Sequence, residues 1–523
     1  MHIFNLMKTK WGVSIKKRAF IFNAAVLSCT GLLSRAMGII FRIYMSNSVG
    51  AEAIGLYQII ATVYFFCATL ATSGISLSIT RLVSEEIAKG NLSKVRYIIR
   101  YCVIISLIIS SISGCALYVG SSYISVHILH DIRTQIPLKI LAPSLPFMAL
   151  SACFRGYFYA VRQIIKTASE QLLEQIIEVS VFAFLIRLMG SSSVELACCY
   201  IVAGTTAAEV ISFFYSMTLY YLDIRSKYTN IDRYPNILKK ILGISVPVTA
   251  SSCLRSALNT IENILIPSGL IRYGSSSKDS LSSYGMLSGM VFPVLCFPSV
   301  VLFSLSTLLI PELSEANAIK DKKNINNIST KIFGMTFMFS ILVSGILMFL
   351  PQEISGLIYI DQRPSEYIKI FAPLVPLIYL DSMVDGMLKG LNQQLHYMSY
   401  NLIDASVRVI LIYFLLPIKG VNGLIIVMFI STILNSSLSV LRVIKVTKLN
   451  VDVVNWICKP VICVALSCLS CKYLTQFSDI SGVPALAFRI LMIICIYLIT
   501  ICLSGAVNFN IHKGNIKRKH CKA

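Results

Sequence analysis

The chain has 523 residues, of which 56% are hydrophobic and only 13% are charged, whereas about 25% of the residues of a soluble domain are charged. Its net charge of +22 comes from lysines and arginines concentrated in alternate connections between apolar runs, a pattern typical of membrane proteins and not of nucleic-acid-binding surfaces. The composition excludes an ordinary soluble domain, and the continuous apolar runs exclude a membrane β-barrel.

Apolar runs long enough to cross a membrane follow one another along almost the whole chain. A span needs about 20 mostly apolar residues. The runs predict an all-α protein with about fourteen transmembrane helices, at about 20–45, 54–80, 99–123, 137–160, 168–190, 194–221, 241–267, 283–310, 331–350, 367–391, 399–417, 421–441, 454–474 and 484–505. The even number and the basic alternate loops predict a multi-pass protein of the cytoplasmic membrane with both termini in the cytoplasm.

The first predicted helix contains two arginines, each of which costs about 2.5–3.5 kcal/mol to insert near the bilayer centre. Arg35 and Arg42 lie seven residues apart, so they share one helix face two turns apart. We predict that this face lines a central cavity and binds phosphate, for which guanidinium groups offer paired donors. The alternative is that Arg42 reaches lipid headgroups from the end of the helix.

Further charged residues follow in the first half of the chain. Arg81 lies at the end of the second predicted helix, close to Glu85. It is interpreted as an anchor with local ion pairs or, alternatively, as a gate residue. Glu174 and Glu178 continue one stripe of the fifth predicted helix that begins with Glu170. We predict that Glu170 pairs with the preceding basic loop, and that Glu174 and Glu178 form a proton or gating site.

An internal repeat divides the chain into two similar halves. Three residues of the segment 155–179, Gly156, Gln163 and Val179, recur in the segment 385–409 as Gly386, Gln393 and Val409, and Glu174 corresponds to the acidic Asp404. The repeat predicts two tandem six-helix lobes at about 20–225 and 235–445, two additional helices at 450–506, a cytoplasmic segment at 1–19 and a basic cytoplasmic tail at 507–523. Tandem repeats of this kind are typical of transporters with the substrate site between the lobes.

The second lobe carries its own charges at the corresponding positions. Arg255 and Glu262 repeat the spacing of Arg35 and Arg42, which makes Arg255 a further cavity candidate. Glu262 is expected to pair with Arg255 or to bind a coupling cation. Asp404 and Arg408 are predicted to form an ion pair one helical turn apart, and both are gate or ion-coupling candidates.

Patterns typical of enzymes are missing from the sequence. It contains no P-loop for nucleotide binding, and no histidine is placed beside a buried nucleophile. A lone CxxC inside an apolar run lacks the further ligands that a metal site requires. We therefore predict a protein that is not an enzyme and holds no cofactor or metal.

Three stretches carry a resemblance to a known family, namely SRAMGIIFRIYMSNSVGAEAIGLYQ (34–58), ATSGISLSITRLVSEEIAKGN (71–91) and RGYFYAVRQ (155–163). They resemble the stage V sporulation protein B-type transporters. These belong to the polysaccharide-exporter and lipid II flippase branch of the multidrug/oligosaccharidyl-lipid/polysaccharide (MOP) superfamily. Arg35 matches the arginine of the family's Ser-Arg-x-x-Gly motif, whereas Arg42 lies one residue later than the second arginine of the related lipid II flippases.

The resemblance implies a flippase that moves a polyprenyl-diphosphate-linked saccharide, with lipid II of the spore cortex or cell wall as the expected substrate. The implied cycle alternates between two open states and is biased by an ion gradient or the membrane potential. Expected partners are the lipid-linked saccharide, membrane lipids and cell-wall synthesis enzymes, with no nucleic acid. The alternatives are a multidrug or cation antiporter of the same superfamily and a non-transporting scaffold for wall synthesis.

Overall fold

Helices form the framework of the protein in a computed structural model. The structure describes residues 2–89, 91, 93–190, 193–227, 236–449, 451–475 and 482–505. No strand occurs among these residues. The predicted basic tail at 507–523 and most of the connection between the two predicted lobes lie outside them, so the division into lobes stays a prediction.

The first half of the chain contains six helices. The helix α1 is continuous from His2 to Ala88 except at Gly50, whose φ of 79° breaks it between the first two predicted spans. A positive φ of this size suits glycine, which has no Cβ to collide with the backbone. The helices that follow are α2 (Ser93–Tyr123), α3 (Gln135–Leu141), α4 (Ser144–Ala160), α5 (Ile164–Met189) and α6 (Val194–Lys227).

The second half of the chain has more interruptions. A π-helical turn, Leu287–Val291, leads into α9, which has Pro293 near its start, and Pro298 directly precedes α10, so the eighth predicted span is divided. Gly420, with a φ of 56°, breaks α15 between the eleventh and twelfth predicted spans. The helices of this half are α7 (Ile237–Tyr273), α8 (Ser277–Met286), α9 (Phe292–Cys296), α10 (Ser299–Ala318), α11 (Lys322–Phe349), α12 (Pro351–Ile358), α13 (Pro364–Phe371), α14 (Val375–Gly390) and α15 (Gln394–Thr447).

Two further helices, α16 (Lys459–Thr475) and α17 (Val483–Leu503), complete the described chain. Nine helices of the described part are long and apolar enough to cross a membrane, or ten if α3 and α4, bent by 45°, count as one span. Two of the nine contain the breaks at Gly50 and Gly420. The polytopic all-α fold is therefore confirmed, and the number fourteen stays a prediction.

The two halves meet where α1 crosses α7 and α8. A Cβ on Gly55 would overlap the carbonyl oxygen of Leu281, and one on Gly285 would overlap that of Ala51. Farther along α1, a Cβ on Gly74 would overlap the carbonyl oxygen of Ser245 in α7. Small residues let membrane helices approach closely enough for their backbones to touch. These contacts fix the spacing between the halves.

The contact at Gly285 generates a test of this packing. The variant Gly285→Ala should lower the thermal unfolding temperature of the purified protein, because overpacking a tight contact costs about 1–3 kcal/mol. The control is Gly243→Ala in α7, where no atom lies within 4 Å of the added methyl group. Equal unfolding temperatures for the two variants would contradict a tight α1–α8 contact.

Candidate functional site

A cavity of about 480 Å³ lies between α1, α5, α9 and α10, and we call it the arginine cavity. It contains both arginines of the first predicted helix. The residues that line it are Ser34, Arg35, Gly38, Ile39, Arg42, Gln175, Phe292, Pro293, Cys296, Ser299 and Val300. The cavity therefore takes its walls from both halves of the chain, as the repeat predicts for a substrate site.

Arg35 and Arg42 are the positive charges of this cavity. Both side chains are exposed, and within the described part of the chain neither forms an ion pair with a carboxylate. The guanidinium carbon of Arg35 lies 3.4 Å from the centroid of the Phe303 ring. Stacking on a ring occupies the flat face of the guanidinium group and leaves its N–H edge available for an anion.

The arginine-bearing face of α1 is held in place by α5. Gln175 donates a hydrogen bond from Nε2 to the carbonyl oxygen of Ser34, at 2.8 Å. A Cβ on Gly38 would lie 3.3 Å from the same Nε2 atom, so a larger residue there would press on this contact. The sequence did not point to Gln175, because a single glutamine among glutamates carries no recognisable signal.

A second cavity of about 480 Å³ lies directly beside the first, and we call it the apolar groove. The two share Ile39. All the residues that line the groove are apolar, namely Ile39, Ile40, Ile43, Val294, Phe297, Pro298, Val343, Ile346, Leu347, Ile354, Ile358, Leu486 and Ile490. The last two belong to α17, so a helix outside the repeat completes the groove. A charged cavity thus opens beside an apolar surface.

Arg155 lies at the centre of a separate charged cluster in the first half. Its Nη1 atom lies 3.0 Å from Oε1 of Glu170 and 3.7 Å from Oε2 of Glu174. Glu170 is fully buried and Glu174 is 31% exposed. This arrangement confirms the expected pairing of Glu170 with a preceding basic residue, although Arg155 lies in α4 and not in a loop, and it places Glu174 in the same network.

Two more glutamates extend the Arg155 cluster. Glu178 accepts a hydrogen bond from Oγ1 of Thr205, at 2.8 Å. Glu209 is 4% exposed and interacts electrostatically with Glu174 and Arg155. Glu209 is not among the site residues predicted from the sequence, although a lone carboxylate inside the apolar run of α6 is a usable signal.

The corresponding cluster of the second half is centred on Arg408. Its Nε atom lies 3.4 Å from Oδ2 of Asp404, as predicted, and its Nη1 atom lies 3.4 Å from Oε1 of Glu262. Ser431 donates a hydrogen bond to Asp404 at 2.6 Å. The expected pairing of Glu262 with Arg255 is wrong, because the two side chains lie two turns apart on α7 and Glu262 contacts α15 instead.

The remaining candidates lie apart from the arginine cavity. Arg255 is exposed and is absent from the residues lining that cavity. Its placement beside Arg35 therefore stays a prediction. Arg81 pairs with Glu85 at 3.0 Å, and both side chains are well exposed, at 64% and 44%. This geometry matches the predicted anchor with a local ion pair.

Comparisons with known proteins agree with this arrangement. The profile of a family described as polysaccharide biosynthesis protein matches residues 20–317. The chain is 25% identical over 444 residues to stage V sporulation protein B of Bacillus subtilis (strain 168), which covers 84% of this chain and 86% of that protein. It is 22% identical over 440 residues to lipid II flippase MurJ of the same organism, covering 76% and 78% of the two chains.

Solved structures share the fold. A lipid II flippase MurJ in an inward closed conformation superposes with a TM-score of 0.63 at 17% identity, over 92% of this chain and 99% of that chain. A multidrug-resistance MATE family transporter of the MOP superfamily, in an inward-facing conformation, gives a TM-score of 0.60 at 13% identity, over 82% and 100%. These likenesses confirm the predicted all-α membrane fold.

The Arg155 cluster generates a stability test. Arg155→Ala should lower the free energy of unfolding by about 3 kcal/mol, because it leaves the buried Glu170 without its partner. Arg155→Lys should restore part of the loss. The control is Arg187→Ala, an exposed position in the last turn of α5. If thermal unfolding shows Arg155→Ala to be as stable as this control, the cluster has no structural role.

Proposed function

From the premise that the chain belongs to the polysaccharide biosynthesis protein family, we propose that it carries a polyprenyl-diphosphate-linked saccharide across the membrane by alternating access. The observation that supports this proposal most directly is the arginine cavity beside the apolar groove. A lipid-linked saccharide combines a diphosphate with a long apolar tail, and each part has a complementary surface here.

The chemistry of the arginine cavity suits a diphosphate. Among the described residues, Arg35 and Arg42 form no ion pair with a carboxylate. In a site with little water, hydrogen bonds from guanidinium to phosphate oxygens are strong, since the effective dielectric constant is low. Binding the diphosphate would also remove the cost of holding two unpaired arginines in the membrane. The saccharide would occupy the wider space between the halves while the tail stays in the groove.

Lipid II is the substrate that we propose within this class. The relatives named stage V sporulation protein B and lipid II flippase MurJ support a peptidoglycan precursor for the spore cortex or cell wall. The protein would lie in the cytoplasmic membrane with both termini in the cytoplasm, as the basic alternate loops indicate. Cell-wall synthesis enzymes would supply and consume the lipid.

An ion gradient or the membrane potential would bias the cycle. A charge that crosses the membrane gains roughly 2.3 kcal/mol per 100 mV. The Arg155 cluster contains more carboxylates than arginines, and the buried Oε2 atom of Glu209 accepts no hydrogen bond within the described part of the chain. We propose these carboxylates as the groups that respond to a coupling ion while the two halves rock about α1, α7 and α8.

A cation or multidrug antiporter is the second candidate, because a MATE family transporter shares the fold. The charge of the arginine cavity disfavours it, since two unpaired guanidinium groups repel a cationic drug. A non-transporting scaffold for wall synthesis would place no demand on Arg35. The substitution Arg35→Ala therefore distinguishes the flippase from both alternatives.

The test is translocation of labelled lipid II in proteoliposomes with an imposed membrane potential. Arg35→Ala should slow translocation by about tenfold or more, because a hydrogen bond to a charged group contributes about 1.5–3 kcal/mol. Arg35→Lys should recover part of the rate, since lysine keeps the charge and loses the paired donors.

Arg187→Ala serves as the matched control because it removes an exposed arginine of α5 that does not line the arginine cavity. Its rate should equal that of the unmodified protein. Normal translocation by Arg35→Ala, at equal protein levels and equal unfolding temperature, would disprove the role of the arginine cavity. Well-folded protein that moves no lipid II would direct the search to other polyprenyl-linked glycans.

A further inference from the structure

A third cavity lies between the start of α11 and the end of α15, and it shares no lining residue with the arginine cavity. Its volume is about 400 Å³, and we call it the lysine pocket. The residues that line it are Lys322, Lys323, Ile325, Asn326, Asn327, Val446, Thr447 and Lys448. The transport proposal assigns no role to this pocket.

The two helix ends are joined by one side chain. Asn326 donates hydrogen bonds from Nδ2 to the carbonyl oxygen of Lys448 at 2.9 Å and to that of Thr447 at 3.4 Å. Lys448 caps α15 in the left-handed conformation, with a φ of 53°. This geometry turns the end of α15 toward the first turn of α11 and brings lysines from both helices to one pocket.

The positive charge of the lysine pocket is not neutralised within the described part of the chain. Lys322, Lys323 and Lys448 are exposed and form no ion pair there. The nearest acidic residue in sequence, Asp321, caps α11 by accepting a hydrogen bond from the backbone N–H of Asn324 at 3.1 Å. The first turn of α11 adds the positive end of its helix dipole.

The lysine pocket also has apolar walls and an apolar approach. Ile325 is 7% exposed inside it and Val446 is 36% exposed at its edge. Close to these helix ends along the chain, Ile319 is 69% exposed and Leu441 is 62% exposed. A soluble anion needs no such surface, whereas a phospholipid places acyl chains beside its phosphate. The pocket thus offers positive charge next to exposed apolar side chains.

We propose that the lysine pocket binds the phosphate headgroup of an anionic phospholipid from the leaflet on the lysine-rich side of the membrane. Basic pockets between transmembrane helices are suited to such headgroups, and each lysine near the surface strengthens the attraction. The bound lipid would hold the ends of α11 and α15 together. This site is independent of the diphosphate site and does not rest on the transport function.

The experiment measures thermal unfolding of the purified full chain in micelles titrated with phosphatidylglycerol, phosphatidylcholine or inorganic phosphate. Phosphatidylglycerol should raise the unfolding temperature more than the other two. The double variant Lys322→Gln/Lys448→Gln should bind phosphatidylglycerol about 25-fold more weakly, because each lysine beside an anionic headgroup contributes roughly a fivefold factor. Lys322→Arg/Lys448→Arg should keep the response.

A matched control removes two exposed lysines that do not line the lysine pocket, Lys239 and Lys278. Lys239→Gln/Lys278→Gln loses the same net charge and should respond as the unmodified protein does. An unchanged response of the Lys322/Lys448 double variant would overturn the proposal. An equal response to phosphatidylcholine would overturn the choice of an anionic headgroup, and an equal response to inorganic phosphate would overturn the choice of a lipid.

Discussion

The constraint on which this structure depends is the cost of holding arginine inside a membrane. The chain meets it in two ways. Arg155 pairs with two carboxylates of α5 and Arg408 with one of its own helix and one of α7, at 3.0 to 3.7 Å, and they stabilise one cluster in each half. Arg35 and Arg42 have no such partner among the described residues and line a cavity instead. Because an unpaired cation is retained at such a cost only where something compensates it, this difference separates the paired arginines from those to which the transport proposal assigns an anion.

The two halves pack so that the arginine cavity lies between them, where a movement of one half against the other would change access to the cavity. Backbones touch at Gly55 and Gly285 near one end of the α1–α8 pair, and Gly74 meets α7 farther along. The arginine cavity lies between these halves, with walls from α1 and α5 on one side and α9 and α10 on the other. In the proposed cycle, a rocking motion of the halves about these contacts would change access to the cavity.

Sequence patterns predicted those features that depend on one helix or on the repeat. Spacing alone placed Arg35 and Arg42 on one face, and one-turn proximity predicted the Asp404–Arg408 pair. Contacts between distant helices could not be predicted in this way. Glu262 contacts Arg408 because α7 packs on α15, and α17 reaches the apolar groove because of tertiary packing outside the repeat. Glu209 could be predicted from the sequence as a lone acid in an apolar run, but its place in the Arg155 cluster could be found only from the structure.

The central claim is that the arginine cavity holds the diphosphate of a lipid, and Cys296 in its wall offers the most direct measurement. An anionic thiol reagent followed by peptide-level mass spectrometry reports the modification rate of each cysteine. The account predicts that a polyprenyl diphosphate lipid slows modification of Cys296, that the polyprenol without phosphate does not, and that the exposed Cys458 is unaffected. Modification of Cys296 at the same rate with and without saturating polyprenyl diphosphate would contradict the account.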